Sequence, residues 1–157
     1  MVYWKKTMQE SLATITWNAP RSIDTDKVSA VQSALDSEES YSPGNPNDPY
    51  FGGKELSKSG RLALIADLLG DTTAASTLRT NLKSVLNDWL TEGNTNTLSY
   101  DTTWKGLCAK NGMTDSGADF GAGYYNDHHF RWGYHIFAAA CIAKEDASWL
   151  ATYKKDF

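Results

Sequence analysis

Apolar residues recur along most of this chain at helical spacing. Trp4, Met8, Leu12 and Ile15 share one face of a helix predicted over residues 2–15, which Asn18-Ala19-Pro20 brings to an end. Val28, Val31 and Leu35 mark a second helix, running from Asp24 or Thr25 to about Ser37; either of the two starting residues suits the cap. Residues 40–49 contain three prolines and a glycine and read as a loop. A helix over 54–69 turns Leu56, Leu62, Ala63, Ile65, Ala66 and Leu69 toward a core, and Gly70 suits its close. The next begins at Thr72 or Thr73 and carries Leu78, Leu82, Val85, Leu86, Trp89 and Leu90 on one face until Gly93 stops it. So short a turn between these two predicts an antiparallel helical hairpin.

The second half changes texture. Residues 95–104 are polar and β-branched, predicting a short strand or an extended loop, and 106–123 hold five glycines and read as irregular. A last long helix starts near Asn126 or Asp127 and runs through Phe130, Tyr134, Phe137, Ala138, Cys141 and Ile142. A shorter helical piece covers 147–153. The predicted class is all-α, helical hairpins joined by long functional loops, in a single domain over 1–157.

Composition narrows the function classes. The formal net charge of −4 gives no general attraction for phosphate backbones, so nucleic acid is not an expected partner. No run approaches the ~20 apolar residues of a membrane span, and the first seventeen residues lack the apolar stretch of a signal peptide. Cys108 and Cys141 fit either one disulfide or two small buried thiols. Aromatic residues reach 12%, and many stand beside Asp, Asn, His or Gly. Such rings pack cores well. They also stack on the apolar faces of sugar rings, whose hydroxyls need the neighbouring polar groups.

Residues 119–130, Asp119-Phe120-Gly121-Ala122-Gly123-Tyr124-Tyr125-Asn126-Asp127-His128-His129-Phe130, concentrate two carboxylates, an amide, two imidazoles and two phenols. The plain reading is a helix capped by Asn126 or Asp127 with surface histidines. The alternative is a site projected from a rigid helix by its preceding loop. A metal site would use His128, His135 and Asp127, but compact zinc ligands stand three or four apart and no HExxH occurs. Nucleophilic hydrolysis lacks a GxSxG serine. Glycoside hydrolysis needs one carboxylic acid at the leaving oxygen and a second carboxylate on the other face; Asp127 suits the first role. Ser99-Tyr100-Asp101-Thr102-Thr103-Trp104 repeats the pairing of a carboxylate with aromatics.

These two segments, with Lys105-Gly106-Leu107 after the second, resemble glycoside hydrolase family 81, the endo-β-1,3-glucanases. Tyr50-Phe51-Gly52-Gly53-Lys54 and Arg61-Leu62-Ala63-Leu64-Ile65-Ala66-Asp67 are similar to that family as well, so the likeness covers about 50–145. The resemblance implies part of an (α/α)6 toroid, the family's catalytic domain, and inverting hydrolysis of internal β-1,3-glucosidic bonds. It implies Asp127 as general acid and Asp101, Trp104, Tyr124, Tyr125, Asn126, His129 and Tyr134 as substrate-binding residues. The partner is a β-1,3-glucan, no metal or organic cofactor is implied, and family members are commonly secreted or wall-associated.

Three departures shape the expectation. Arg131-Trp132 stand where the family continues His-Tyr, so Arg131 either alters a subsite or sits on the outer face of its helix. Ala122 stands where Asn is common. The family's base is a glutamate on a later helix, and Glu145, the only Glu after Asp127, does not match its motif. The expectation is a partial catalytic domain that does not turn over laminarin alone and self-associates through uncovered apolar helix faces. A non-catalytic β-1,3-glucan-binding helical protein is the alternative.

Overall fold

The element pattern follows from where the chain can cap and close its helices. The computed structural model describes residues 22–156; the helix predicted over 2–15 lies outside the described residues. Helix α1 (Thr25–Asp36) follows Asp24, whose backbone is extended, and buries Leu35. Val28 on its predicted apolar face is exposed.

Helix α2 (Pro49–Leu69) starts five residues earlier than its apolar spacing implies. The Asp48 carboxylate accepts the Phe51 N–H at 2.7 Å, and Pro49 occupies the first turn, where it has no N–H to leave unsatisfied. The prolines read as loop-formers thus include a helix starter. Gly70, at φ 76°, closes α2 in the left-handed region. Helix α3 (Thr72–Leu90) begins directly after it, with Asp71 accepting the Ala74 N–H at 3.0 Å. This is the predicted hairpin.

Strands β1 (Leu98–Asp101) and β2 (Gly106–Ala109) then form an antiparallel pair with Leu98 opposite Ala109 and Asp101 opposite Gly106. The second strand lies in the stretch read as irregular: Leu107, Cys108 and Ala109 supply an apolar run once Lys105, at φ 59°, has turned the chain. Two 3-10 segments (Lys110–Met113 and Ala118–Tyr124) lead to α4 (His128–Ala143), and α5 (Ala147–Tyr153) follows, with Asp146 accepting the Trp149 N–H. The described residues form an all-α architecture with one small β-hairpin.

The main core joins Leu56 of α2, Leu82, Leu86 and Trp89 of α3, Ala138, Cys141 and Ile142 of α4, and Trp149 of α5. A second cluster joins Leu35, Ala63, Ala66, Ala74, Ala75 and Leu78 around the α2–α3 turn. Small residues let α4 come close to α2: a Cβ on Gly53 would stand 3.0 Å from His135 Cε1, and one on Gly60 3.1 Å from Cys141 Sγ. Arg79 ties the three helices, donating through Nε to the Cys141 carbonyl at 3.1 Å and through its two Nη atoms to Asp67. Cys108 and Cys141 are free and buried, the second of the two arrangements open from sequence. No described helix is long and apolar enough to cross a membrane.

Candidate active site

Asp127 sits where α4 begins, but it does not cap the helix. Its backbone is left-handed (φ 54°, ψ 21°), and its side chain makes no capping hydrogen bond. Asp tolerates this region better than most residues, yet the conformation still costs roughly 1 kcal/mol. Asp127 is exposed and lines a cavity of about 330 Å³ with Tyr50, Phe51, Phe120, Phe130 and Arg131. The rings pack on one another: Tyr50 lies 4.9 Å from Phe51, 5.5 Å from Phe120 and 5.7 Å from Phe130. Three segments therefore converge here, the start of α2, the loop before α4, and the first turn of α4 itself.

The loop is built from consecutive left-handed residues, Asp119 (φ 46°), Phe120 (φ 53°) and Gly121 (φ 82°). Arg131, only 2% exposed, reaches back from α4 to hold them. Its Nη1 donates to the Asp119 carbonyl and, at 3.0 Å, to the Asp119 carboxylate; its Nη2 donates to the Phe120 carbonyl at 3.0 Å. Arg131 is therefore not on the outer face of its helix; it lines the cavity beside Asp127. It is inside the protein, bound to the loop. Asn126 adds a hydrogen bond from Nδ2 to the same Phe120 carbonyl at 3.0 Å.

The second predicted cluster is joined to the first by Tyr125. Its hydroxyl donates to Asp101 Oδ2 at 2.9 Å, and its ring lies over Gly106, where any Cβ would fall inside it. Asp101 also accepts the N–H groups of Thr103 at 2.7 Å and Trp104 at 3.2 Å. The Thr103 N–H foremost, with the Tyr125 hydroxyl and the Trp104 N–H, holds the Asp101 carboxyl below its ordinary value; burial and Asp101 push Tyr125 up to about 12. His128 packs on the Tyr125 ring at 4.6 Å, with Nε2 2.7 Å from the Leu107 carbonyl, so that nitrogen carries a proton. Asn96 fastens the base of the hairpin, donating to the Asn47 carbonyl at 2.7 Å and to Asn111 at 3.0 Å.

The other expected binding residues fall into two groups. Trp104 and Tyr124 stand 77% and 75% exposed, on the hairpin turn and the loop before α4, with rings open to a ligand. His129 is exposed in the first turn of α4. Tyr134 is half-buried one turn farther on; its ring packs tilted at 5.1 Å from Phe130, and it lines an apolar groove of about 970 Å³ with Leu64, Ile65, Leu68 and Phe137. His135 turns inward, 4% exposed, between Trp89 and Trp132. Its Nδ1–H donates to the Arg131 carbonyl at 3.2 Å, and burial lowers its pKa to about 4. Among the described residues no three His, Cys, Asp or Glu side chains converge as a metal site.

Sequence reasoning did not include Tyr50, Phe51, Phe120, Phe130 or Arg131 among the site residues. Tyr50-Phe51 belongs to a segment already similar to the family, and Phe120 and Phe130 bracket the Asp127 motif, so that signal was present. Their convergence was not readable.

Residues 21–157 match the family model described as the glycosyl hydrolase family 81 C-terminal domain. The chain belongs to glycosyl hydrolase family 81. Within that family, a glucan endo-1,3-beta-D-glucosidase of Glycine max is 35% identical over 145 residues, 89% of this chain and 22% of the relative. The primary septum glucan endo-1,3-beta-D-glucosidase of Schizosaccharomyces pombe is 41% identical over 110 residues, 69% and 11% of the two chains. A glucan endo-1,3-beta-D-glucosidase of Arthroderma benhamiae is 39% identical over 113 residues, 70% and 12%. This family 81 chain therefore spans about a tenth to a fifth of the length of these relatives.

Proposed function

We propose that this chain is part of the catalytic helical domain, a portion of an (α/α)6 toroid, of an inverting endo-β-1,3-glucanase, with Asp127 as its general acid. One observation carries the reading. An exposed aspartate whose side chain makes no cap bond, held in left-handed geometry at a helix start, lines a cavity walled by four aromatic residues. Local backbone strain of this kind concentrates at functional sites. The endo-1,3-beta-D-glucosidases among the relatives supply the bond, an internal β-1,3-glucosidic linkage.

In this mechanism a glucan lies across the aromatic walls with its C–H faces on the rings. Asp127 gives its proton to the departing glucosyl oxygen. A second carboxylate takes a proton from water attacking the opposite face of the sugar, across the ~6.5–9.5 Å gap that inversion needs. Trp104, Tyr124 and Tyr134 offer stacking surfaces; Asn126 and His129 offer hydrogen bonds to hydroxyls; Asp101 and Tyr125 fix the hairpin against the motif. No cofactor enters. The base is the glutamate the family resemblance puts on a later helix, since Asp101 accepts from Thr103, Trp104 and Tyr125 and the Asp119 carboxylate is paired with buried Arg131. That engagement also favours a second reading, a non-catalytic β-1,3-glucan-binding helical protein. The substrate class and the septum enzyme among the relatives fit a secreted or wall-associated protein. The exposed apolar groove beside Tyr134 supports self-association of the chain taken alone, checked by light scattering.

The test is Asp127→Asn, which keeps the shape and the tolerance for left-handed backbone. Titration of tryptophan fluorescence with laminarihexaose should show binding kept, while laminarin hydrolysis by the complete protein falls by roughly 10²–10⁴-fold. Undiminished hydrolysis removes Asp127 from the chemistry. Binding without any hydrolysis by the complete wild-type protein favours the second reading.

A further inference from the structure

Arg131 spends its guanidinium on a short stretch of backbone. Asp119 and Phe120 are adjacent non-glycine residues at positive φ, and Gly121 continues the same hand. Each such L-residue costs roughly 1–2 kcal/mol, so an isolated loop would leave this shape. Arg131 opposes this, binding both carbonyls and the Asp119 carboxylate, with Asn126 adding a bond to the Phe120 carbonyl. The pair is not optimised as a stabilising core element. Arg131 Nε and Asp119 Oδ1 are buried without partners among the described residues, and an unmatched buried polar atom is destabilising. A buried pair of this kind is better explained by the geometry it enforces. That geometry sets Phe120, whose ring packs 5.5 Å from Tyr50 and 5.9 Å from Phe51 at the cavity Asp127 lines.

We propose that Arg131 is a positioning residue for glucan: it latches residues 119–121 in left-handed geometry and so keeps the Phe120 ring as a sugar-stacking wall beside Asp127. This rests on the glucanase reading above. Arg131 acts through the loop, its Nη atoms committed to Asp119 and Phe120. Lysine at 131 keeps the charge but presents one ammonium in place of a planar fork, and so cannot serve two carbonyls and a carboxylate with the same geometry. Histidine, the residue the family resemblance puts at this position, is too short to do so from the same backbone.

The experiment compares Arg131→Lys, Arg131→His, Phe120→Ala and the double variant Arg131→Lys/Phe120→Ala in this chain. Amide hydrogen exchange should show lost protection at residues 119–123 in both Arg131 variants, with Leu82 and Leu86 unchanged. Affinity for laminarihexaose should fall roughly tenfold in Arg131→Lys and in Phe120→Ala, the factor for one ordered aromatic contact. The double variant should bind no more weakly than Phe120→Ala alone, because the arginine acts through that ring. Unchanged exchange in both Arg131 variants, or losses that simply add in the double variant, overturns the proposal. Absence of laminarihexaose binding by the wild-type chain would instead overturn the glucanase reading, while the exchange arm still decides whether the latch exists.

Discussion

The Tyr125 hydroxyl donates to the Asp101 carboxylate at 2.9 Å, bridging 24 residues of chain between the β-hairpin and the segment that enters α4. Each residue helps set the other: Asp101 raises the phenol, and the phenol is among the donors that lower Asp101. Removing the hydroxyl should therefore loosen the hairpin without dismantling the helices. Tyr125→Phe is expected to raise the Asp101 pKa toward its ordinary value, read by carboxyl-carbon NMR titration. It should also weaken laminarihexaose binding measurably, while the melting temperature drops by no more than about 4 °C.

His135 makes stability depend on pH. Folded, it takes a proton only near pH 4; its ordinary value is 6.5. Between those values the unfolded chain binds the extra proton, so stability is complete above about 6.5 and declines as pH falls toward 4. At pH 5 this residue alone should cost roughly 2 kcal/mol. Urea midpoints measured from pH 7 to pH 4.5 should fall in the wild type and flatten in His135→Leu. Parallel slopes in the two proteins would remove His135 as the cause.

Two glycines should respond oppositely to the same change. Gly53 is where α2 meets α4, with His135 Cε1 and Tyr134 Cβ each 3.0 Å from an added methyl. Gly53→Ala should destabilise by about 1–3 kcal/mol through overpacking. Gly133, inside α4, has nothing within 4 Å of such a methyl. Gly133→Ala should stabilise by about 0.5–1 kcal/mol through helix propensity. Thermal melts of both variants check the contrast.

Cys108 and Cys141 are separate buried thiols, and burial pushes both above the ordinary thiol pKa, Cys141 to about 11. Neutral and enclosed, they should react slowly with a thiol reagent in the native protein. Under denaturant without reductant, both should titrate at once. Dithiothreitol should leave the melting temperature unchanged.

Much of the architecture was legible because it rests on local rules. The periodicity of Leu78, Leu82, Leu86 and Trp89 makes a helix with one buried face wherever that face finds cover, and Gly70-Asp71 leaves room for nothing but a tight turn. The Asp127 motif was legible too, since so many polar types cannot be placed together by packing alone. Tertiary structure decided the rest. The start of α2 depended on the Asp48 side chain meeting the Phe51 N–H, and β2 existed only once Lys105 had turned Gly106 back against Asp101. Whether Arg131 pointed out or in depended on two carbonyls that become available only in a left-handed loop. Spacing along one chain reports the faces of single elements. Which rings wall a cavity is set by how three elements approach, and that is fixed by the small residues at Gly53 and Gly60 where α4 settles onto α2.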